Sequence, residues 1–363
     1  MDEIVSRIIK WMEGEKAPPS VLSFNMIDGC NQRCKFCDWV FFPLLEVQNS
    51  LIDEDYYRFI KQAAELDVDE VRICGGGEPL FNKHLTLNMI SLIKKYGMKC
   101  HLITNGTLFT DNDIKKLIKL GIDFIEFSIH GPDAATHDYL VSLPGAFDRA
   151  INNVKRFNYW KKKLKKDKPE LNFWLVLTKL NYNELDKMIL LASELNINHL
   201  EISELFMRSK ECKKLEINES QKNELYKNIR ELKKIAENHH ISFEIHETIF
   251  HKGDEQKNKV FSILKIDKSK HDLLNVPCYD SWYYLTINGD GKVDICPEIV
   301  GNYLKIRVNN KTLKDIWYGN EMKKIRERVL KKEISGKCQD CCNFKASKEI
   351  RENLKNLVKN CLE

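Results

Sequence analysis

The sequence predicts an α/β fold, with six βα units forming a partial barrel or a doubly wound sheet, followed by a small α+β domain that carries its own cysteines. Three observations lead there. Short β-rich runs alternate with amphipathic helical stretches from Val21 onward, that rhythm changes after Ser203, and cysteines gather first at positions 30–37 and again beyond position 277. Alternation of this kind is the mark of parallel strands joined by right-handed helical crossovers, and ligands then collect at the carboxyl ends of the strands.

The expected strands are Leu22 to Ile27, Glu70 to Cys74, Lys99 to Thr104, Phe124 to His130, Asn172 to Thr178 and His199 to Ser203. Between them, Tyr56, Phe59, Ile60 and Ala63 recur at helical spacing, as do Ile114, Leu117 and Ile118. The second of these stripes opens with Thr110 and Asp113 as a capping pair and closes at Gly121. Phe147, Ala150, Ile151, Val154 and Phe157 form a third stripe, and Leu185, Met188, Ile189, Ala192 and Leu195 a fourth. All four are core faces. Beyond Ser203, Asn218 to His239 predicts one long helix, Ile241 to His246 a strand, and Phe250 to Asn275 a charged linker. Trp282 to Ile287 and Lys292 to Ile295 flank Asn288-Gly289-Asp290-Gly291 as a hairpin, and Lys348 to Leu362 closes the chain as a helix. The implied organisation is an N-terminal helical extension over 1–20, the barrel over 21–210, a helix, strand and linker over 211–275, and the cysteine-bearing domain over 276–363.

With 363 residues, 43% of them hydrophobic and 31% charged, the chain can bury a core, which excludes fibrous and mainly disordered classes. Its apolar runs fall short of the roughly 20 residues of a membrane span, and Met1 to Lys16 lacks a cleavable apolar segment, so a cytoplasmic protein with no membrane partner is expected. The net charge of +5 is local in origin: Lys155 to Lys168 holds eight basic residues against Asp167 alone. A solvated helix end is one reading of that run; an anionic partner such as RNA is the other.

Twelve cysteines in a reducing compartment point to metal or redox chemistry rather than disulfides. Cys30, Cys34 and Cys37 fall in the loop after the first strand, at the ligand-bearing edge. A structural zinc site asks for four ligands, which this loop alone does not supply, whereas three thiolates on a 4Fe-4S cluster leave one iron open to a substrate or cofactor. Cys74, Cys100, Cys212 and Cys361 stand apart as small or incidental side chains.

The CxxxCxxC spacing, with Phe36 before its last cysteine, resembles the signature of the radical S-adenosylmethionine (SAM) enzymes. Gly75-Gly76-Gly77-Glu78-Pro79 after the second strand, Thr104-Asn105-Gly106 after the third and Phe127-Ser128-Ile129-His130-Gly131 within the fourth are similar to further motifs of that superfamily. The resemblance implies the family's partial (β/α)6 barrel, with a SAM-binding 4Fe-4S cluster on Cys30, Cys34 and Cys37. It places the methionyl amine by Gly75, Gly76, Gly77, Glu78 and Pro79, and adenine near Phe36. Asn105 and Ser128 become hydrogen-bonding partners of ribose or carboxylate. It further implies reductive cleavage of SAM to a 5′-deoxyadenosyl radical that abstracts hydrogen from an unactivated carbon, with electrons from a low-potential donor such as ferredoxin or flavodoxin. Many relatives carry an Arg soon after the fourth-strand motif; His137 to Val141 has none, leaving Lys179 and Arg149 as substitutes.

Cys278, Cys296-Pro297, and Cys338 with Cys341 and Cys342 resemble the C-terminal SPASM domain in its shorter, single-cluster "twitch" form. The resemblance implies an auxiliary 4Fe-4S cluster on Cys278, Cys296, Cys338 and Cys341, with Cys342 or Cys361 as alternatives for the last. Cys342 is otherwise a spare thiol that would serve as a hydrogen donor to a product radical. Four cysteines with one CxxC also satisfy a zinc ribbon, so a zinc-binding interaction module is the non-enzymatic alternative. The histidines form no ligand spacing and are expected at the surface or in the core. Glu201, Glu204 and Glu298 are candidates for substrate binding or proton transfer. The leading expectation for the substrate is a small polar molecule, sugar-like or nucleotide-linked; peptide or protein modification and RNA modification are the alternatives.

Overall fold

The computed structural model describes residues 2–26, 29–37, 51–205, 210–246, 249, 273, 276–295, 306–308, 310–331, 333, 347, 349–354 and 356. The chain divides into two compact units, one formed by Met1–Phe24, Leu51–Val71 and His251–Glu363, the other by Asn25–Ser50 and Arg72–Phe250.

Strands β1 (Val21–Met26) and β2 (Glu70–Gly75) each run from the first unit into the second, which continues with β3 (Lys99–Thr104), β4 (Phe124–Ser128), β5 (Glu170–Val176), β6 (His199–Ser203) and β7 (Ser242–Ile245). They lie side by side in sequence order, and the pairs from β3 to β7 are all parallel. An α/β fold with a parallel sheet is therefore present, as the sequence predicts. The strand near Ile241 adds to it as a seventh member, because the long helix before it serves as one more crossover.

The helices of this unit are α3 (Lys83–Lys95), α4 (Asp111–Leu120), α5 (Ala134–Val141), α6 (Ala146–Leu164), α7 (Leu185–Glu194), α8 (Lys210–Lys213) and α9 (Glu219–Asn238), with α1 (Asp2–Met12) and α2 (Asp53–Glu65) in the other unit. Helix α4 shows how local chemistry sets the ends: Thr110 and Asp113 cap one another reciprocally, and Gly121 ends the helix in the left-handed conformation at φ +69°. Helices α3 and α5 lie outside the sequence expectations, although Leu85, Met89, Ile90 and Ile93 do form a helical stripe that is buried in α3. On β4, Ile125 and Phe127 face the helices, with Phe127 packed against Phe109 and Phe157. Strand alternation then turns Glu126 and Ser128 to the inner side.

In the first unit, Val5 and Ile8 of α1 join a core with Tyr279, Trp282, Tyr283, Ile350 and Leu354. A one-turn helix α10 (Asp280–Tyr283) precedes β8 (Tyr284–Asn288), which pairs antiparallel with β9 (Val293–Asp294). The hairpin is as expected, but its first strand starts at Tyr284 rather than Trp282. Buried Asp280 accepts from the Tyr283 hydroxyl (3.1 Å) and Arg326 from α12 (Asn320–Leu330) donates to Ser281 O (2.9 Å), which holds the preceding residues in a turn. Arg326 also stacks between Trp11 and Trp317. Trp317, in α11 (Leu313–Trp317), donates to Ala17 O (2.8 Å).

Candidate active site

The carboxyl ends of β2, β3 and β4 carry the glycine-rich, Thr-Asn-Gly and Ser-Ile-His-Gly segments, and the loop after β1 carries the thiols. Two backbones meet where these ends converge: the Glu78 N–H donates to Gly29 O (2.8 Å), and a Cβ on Gly77 would stand 2.2 Å from the same oxygen. Only glycine permits that approach. Gly75 and Gly76 precede it at the end of β2, and Pro79 opens a short 3₁₀ turn (Pro79–Asn82) where its missing N–H costs nothing.

Glu78 is 3% exposed, and its carboxylate is occupied by the chain itself. Oε1 accepts from the Leu80 N–H (3.0 Å) and the Thr104 hydroxyl (2.6 Å), and Oε2 from the Asn105 N–H (2.7 Å). Burial pushes its pKa above the ordinary carboxylate range against these three neutral donors. Beside the acceptor for a cofactor amine that the sequence suggested, the geometry makes Glu78 a clamp that fixes the end of β2 to the end of β3. Asn105 is committed in the same way. Its side-chain N–H donates to Asn31 Oδ1 (2.8 Å) while its Oδ1 accepts from the backbone N–H (3.0 Å) and hydroxyl (2.7 Å) of Thr107. Asn31 in turn donates to the Thr107 hydroxyl (2.9 Å), so the cysteine loop is tied to the turn after β3. Asn31, Thr104 and Thr107 were missed as site residues, although Thr104 lies inside a motif the sequence displayed.

The opposite side of the cysteine loop is held by α5, whose last carbonyls, Val141 O and Leu140 O, accept from the Arg33 (3.0 Å) and Lys35 (2.8 Å) N–H groups. Phe36 packs edge-on against His130 at 4.8 Å between ring centres. His130 and His137 stack at 5.8 Å, and each Nδ1 accepts a backbone N–H, from Val176 (3.2 Å) and from His130 (3.0 Å) respectively. That fixes both rings as Nε2–H tautomers. Burial keeps both neutral, pushing His137 down to about 4. These imidazoles are core struts, as expected from their lack of ligand spacing.

Cys30, Cys34 and Cys37 are thiols outside any disulfide. Burial raises the Cys30 pKa and, further, that of Cys34, where Cys37 and Cys30 push the same way. The three sulfurs are thus within electrostatic reach of one another, while among the described residues no three His, Cys, Asp or Glu side chains are already gathered at metal-ligating separation. Three soft donors on one loop, beside a strand end where side chains are excluded, fit a 4Fe-4S cluster with one iron open. Ser128 ends β4 on the inner face, opposite Trp174. Arg149 is committed to Pro144 O (3.1 Å), and Lys179 is exposed at the end of β5. Of the second cysteine set, Cys278 accepts from the Asp280 N–H (3.4 Å) just ahead of α10; Cys296, Cys338, Cys341, Cys342 and Cys361, with Glu298, lie outside the described residues.

Residues 24–192 match the model of the radical SAM superfamily, and residues 278–342 that of the SPASM iron-sulfur cluster-binding domain. The chain belongs to the radical SAM superfamily. This radical SAM enzyme accordingly works with a 4Fe-4S cluster, SAM and auxiliary iron-sulfur chemistry in its SPASM domain. Among curated proteins it resembles the AdoMet-dependent heme synthase of Methanosarcina barkeri, 30% identical over 49% of this chain and 48% of that protein. The chain spans about half the length of the curated relatives it matches. Among solved structures, SuiB of Streptococcus suis bound to S-adenosylmethionine superimposes with a TM-score of 0.68 at 20% identity, covering 93% of this chain and 75% of that one; its complex with the precursor peptide SuiA gives 0.67. The enzyme anSMEcpe with bound AdoMet and a Cp18Cys peptide gives 0.62 at 16% identity, covering 94% and 99%. These likenesses show the fold. Among the described residues no helix is long and apolar enough to cross a membrane.

Proposed function

We propose that this radical SAM enzyme modifies a peptide or protein, by hydrogen abstraction from a carbon of the substrate followed by oxidation or crosslinking. The supporting observation is that two proteins whose folds match most of this chain, SuiB and anSMEcpe, were solved with peptides bound. This reading displaces the small polar substrate that the sequence alone favoured. The heme synthase relative gives a specific second reading, a precursor of heme.

In this scheme Cys30, Cys34 and Cys37 hold the SAM-binding cluster, and a ferredoxin- or flavodoxin-type carrier supplies electrons. When bound, the cluster and SAM supply the hydrogen-abstracting 5′-deoxyadenosyl radical. The chain's own contribution is placement. Glu78 and Asn105 lock the ends of β2 and β3 and the cysteine loop into one frame, α5 holds the outer side of that loop, and Phe36 is aimed by His130. The SPASM cysteines, Cys278 among them, are proposed to hold an auxiliary cluster, with Cys342 proposed as a thiol donor.

The test is label transfer. The reconstituted enzyme, reduced with dithionite and supplied with SAM, is incubated separately with the peptide fraction and the small-metabolite fraction of cells grown in deuterated medium. Deuterium in 5′-deoxyadenosine from the peptide fraction, absent with Cys34→Ala, is the expected result. Label arriving only from the metabolite fraction would overturn the peptide reading.

A further inference from the structure

The inner face of the parallel sheet carries polar chemistry that the strand-end motifs leave unused. In a closed barrel these positions are filled by branched apolar side chains. Here Glu126 of β4 is directly opposite Asn172 of β5, which is opposite His199 of β6. One layer nearer the carboxyl edge, Ser128 faces Trp174, Glu201 and Glu244 across the same strands. The outward neighbours Ile125, Phe127, Leu171, Phe173, Leu200 and Ile202 are all buried, so the polar set belongs to the inner side alone.

Most of this set is satisfied internally. Glu201 accepts from His246 (2.8 Å) and has His199 at 3.8 Å, and these two imidazoles hold its carboxyl well below the usual range although burial opposes them. The Trp174 indole donates to the Ser203 hydroxyl (2.6 Å). Glu126 and Asn172 differ. They are 3% and 9% exposed, and the Glu126 Oε1 and Asn172 Oδ1 atoms are buried with no hydrogen-bond partner among the described residues. Adjacent strands lie about 4.8 Å apart, so these are two neighbouring acceptor atoms; the other Glu126 oxygen has His101 Nε2 at 3.8 Å, which leaves Oε1 unanswered, and an unanswered buried acceptor costs about 1–3 kcal/mol unless something fills it.

We propose that Glu126 and Asn172 form a subsite for a cationic nitrogen group, an ammonium or guanidinium, carried by the substrate. Such a group offers two or more N–H donors and one positive charge, which answers one amide oxygen and one carboxylate oxygen together. Depth agrees with a side chain as the carrier. Glu126 lies two residues below Ser128, about 7 Å along the strand, which a Lys or Arg side chain spans from a backbone running over the carboxyl edge. In that form the inference rests on the peptide reading; the subsite itself requires only the cation.

The probes are N-acetyl-lysine-N′-methylamide and its norleucine counterpart, which has the same carbon stem without the charge, titrated against the cluster-loaded, SAM-bound enzyme by calorimetry. The lysine probe is expected to bind at least about tenfold more tightly, the scale of one charge-assisted hydrogen bond. Glu126→Gln, which keeps shape and an acceptor but not the charge, should reduce that preference to within about twofold, and Asn172→Asp should increase it, with SAM affinity unchanged in both. Equal binding of the two probes, or a preference indifferent to both substitutions, would overturn the proposal and leave the acceptors to ordered water. A lysine preference in an enzyme that labels only from the metabolite fraction would retain the subsite while the peptide reading fails.

Discussion

Two buried carboxylates at opposite ends of the same parallel sheet are neutralised in opposite ways. At the amino edge, Asp123 accepts from Lys94 (2.5 Å), from Lys168 and from the Cys100 N–H (3.0 Å). Burial opposes its ionisation, but the two ammonium groups outweigh that and hold the carboxyl below its ordinary range. At the carboxyl edge, Glu78 has three donors and no cation among them, and burial raises it. The amino edge uses full charges as staples. The carboxyl edge clamps Glu78 with neutral donors, so that clamp adds no cation of its own beside the thiols, where the Arg33 guanidinium of the cysteine loop already donates to Cys30 O (2.7 Å).

The largest effect in this comparison belongs to the backbone approach at the carboxyl edge. Gly77→Ala places a methyl group 2.2 Å from Gly29 O, and both partners are backbone, so neither can turn away. Separation of the cysteine loop from β2 is expected, with loss of the loop-borne cluster, about four irons per chain, and SAM cleavage at background. Gly121→Ala at the end of α4, where a Cβ meets nothing within 4 Å, is the control and should retain its iron despite the strained φ. Full iron content in Gly77→Ala would mean that the contact is dispensable.

An intermediate effect separates the two carboxylates by the sign of their pH dependence. Asp123 has a lowered folded pKa, so its stabilisation is complete above the unfolded value of about 3.9 and is lost as pH falls through the folded value. Glu78 has a raised folded pKa, so its contribution is complete below about 4.3 and is lost as pH rises through the folded value. Amide exchange reads both locally. Protection at Cys100 should exceed that in Asp123→Asn by a margin that shrinks toward acid, whereas the margin at Asn105 over Glu78→Gln should shrink toward neutral pH. Parallel trends at the two sites would show that a single electrostatic regime governs the sheet. In either variant, leaving buried donors unmatched costs about 1–3 kcal/mol.

The sheet was legible because its signals are local: alternation of β-rich runs with helical stripes, the Thr110 and Asp113 cap, and Gly121 at a helix end can each be read within a few residues. The cysteine spacing and the glycine-rich segment were legible for the same reason. The clamping roles of Glu78 and Asn105 were not, since both turn on partners 26 to 74 residues away, Thr104 and Asn31 among them. Glu126 was hidden for a different reason. Within Phe124 to Ser128 it reads as the polar residue of a half-exposed strand, and only the burial of both sheet faces shows it to be an interior acid. The early part of the expected Trp282 strand failed because an all-aromatic run carries no alternation to read.

The smallest effect concerns the lysine run. Its members are partly spent on structure: at the amino edge Lys168 pairs with Asp123 and Lys161 donates to Pro169 O (2.7 Å), while Arg156, earlier on α6, pairs with Asp111 (2.6 Å) at the start of α4. Of the other five, Lys162, Lys163, Lys165 and Lys166 cluster at the end of α6, away from the cysteine loop, and Lys155 lies earlier on that helix. Reversing these four to Glu should weaken retention on immobilised RNA, a charge effect that added salt reproduces, while dithionite-driven SAM cleavage stays within about twofold of the parent. A tenfold loss of cleavage with iron content intact would instead make the amino edge part of the catalytic frame, and the division between a stapled end and a working end would no longer hold.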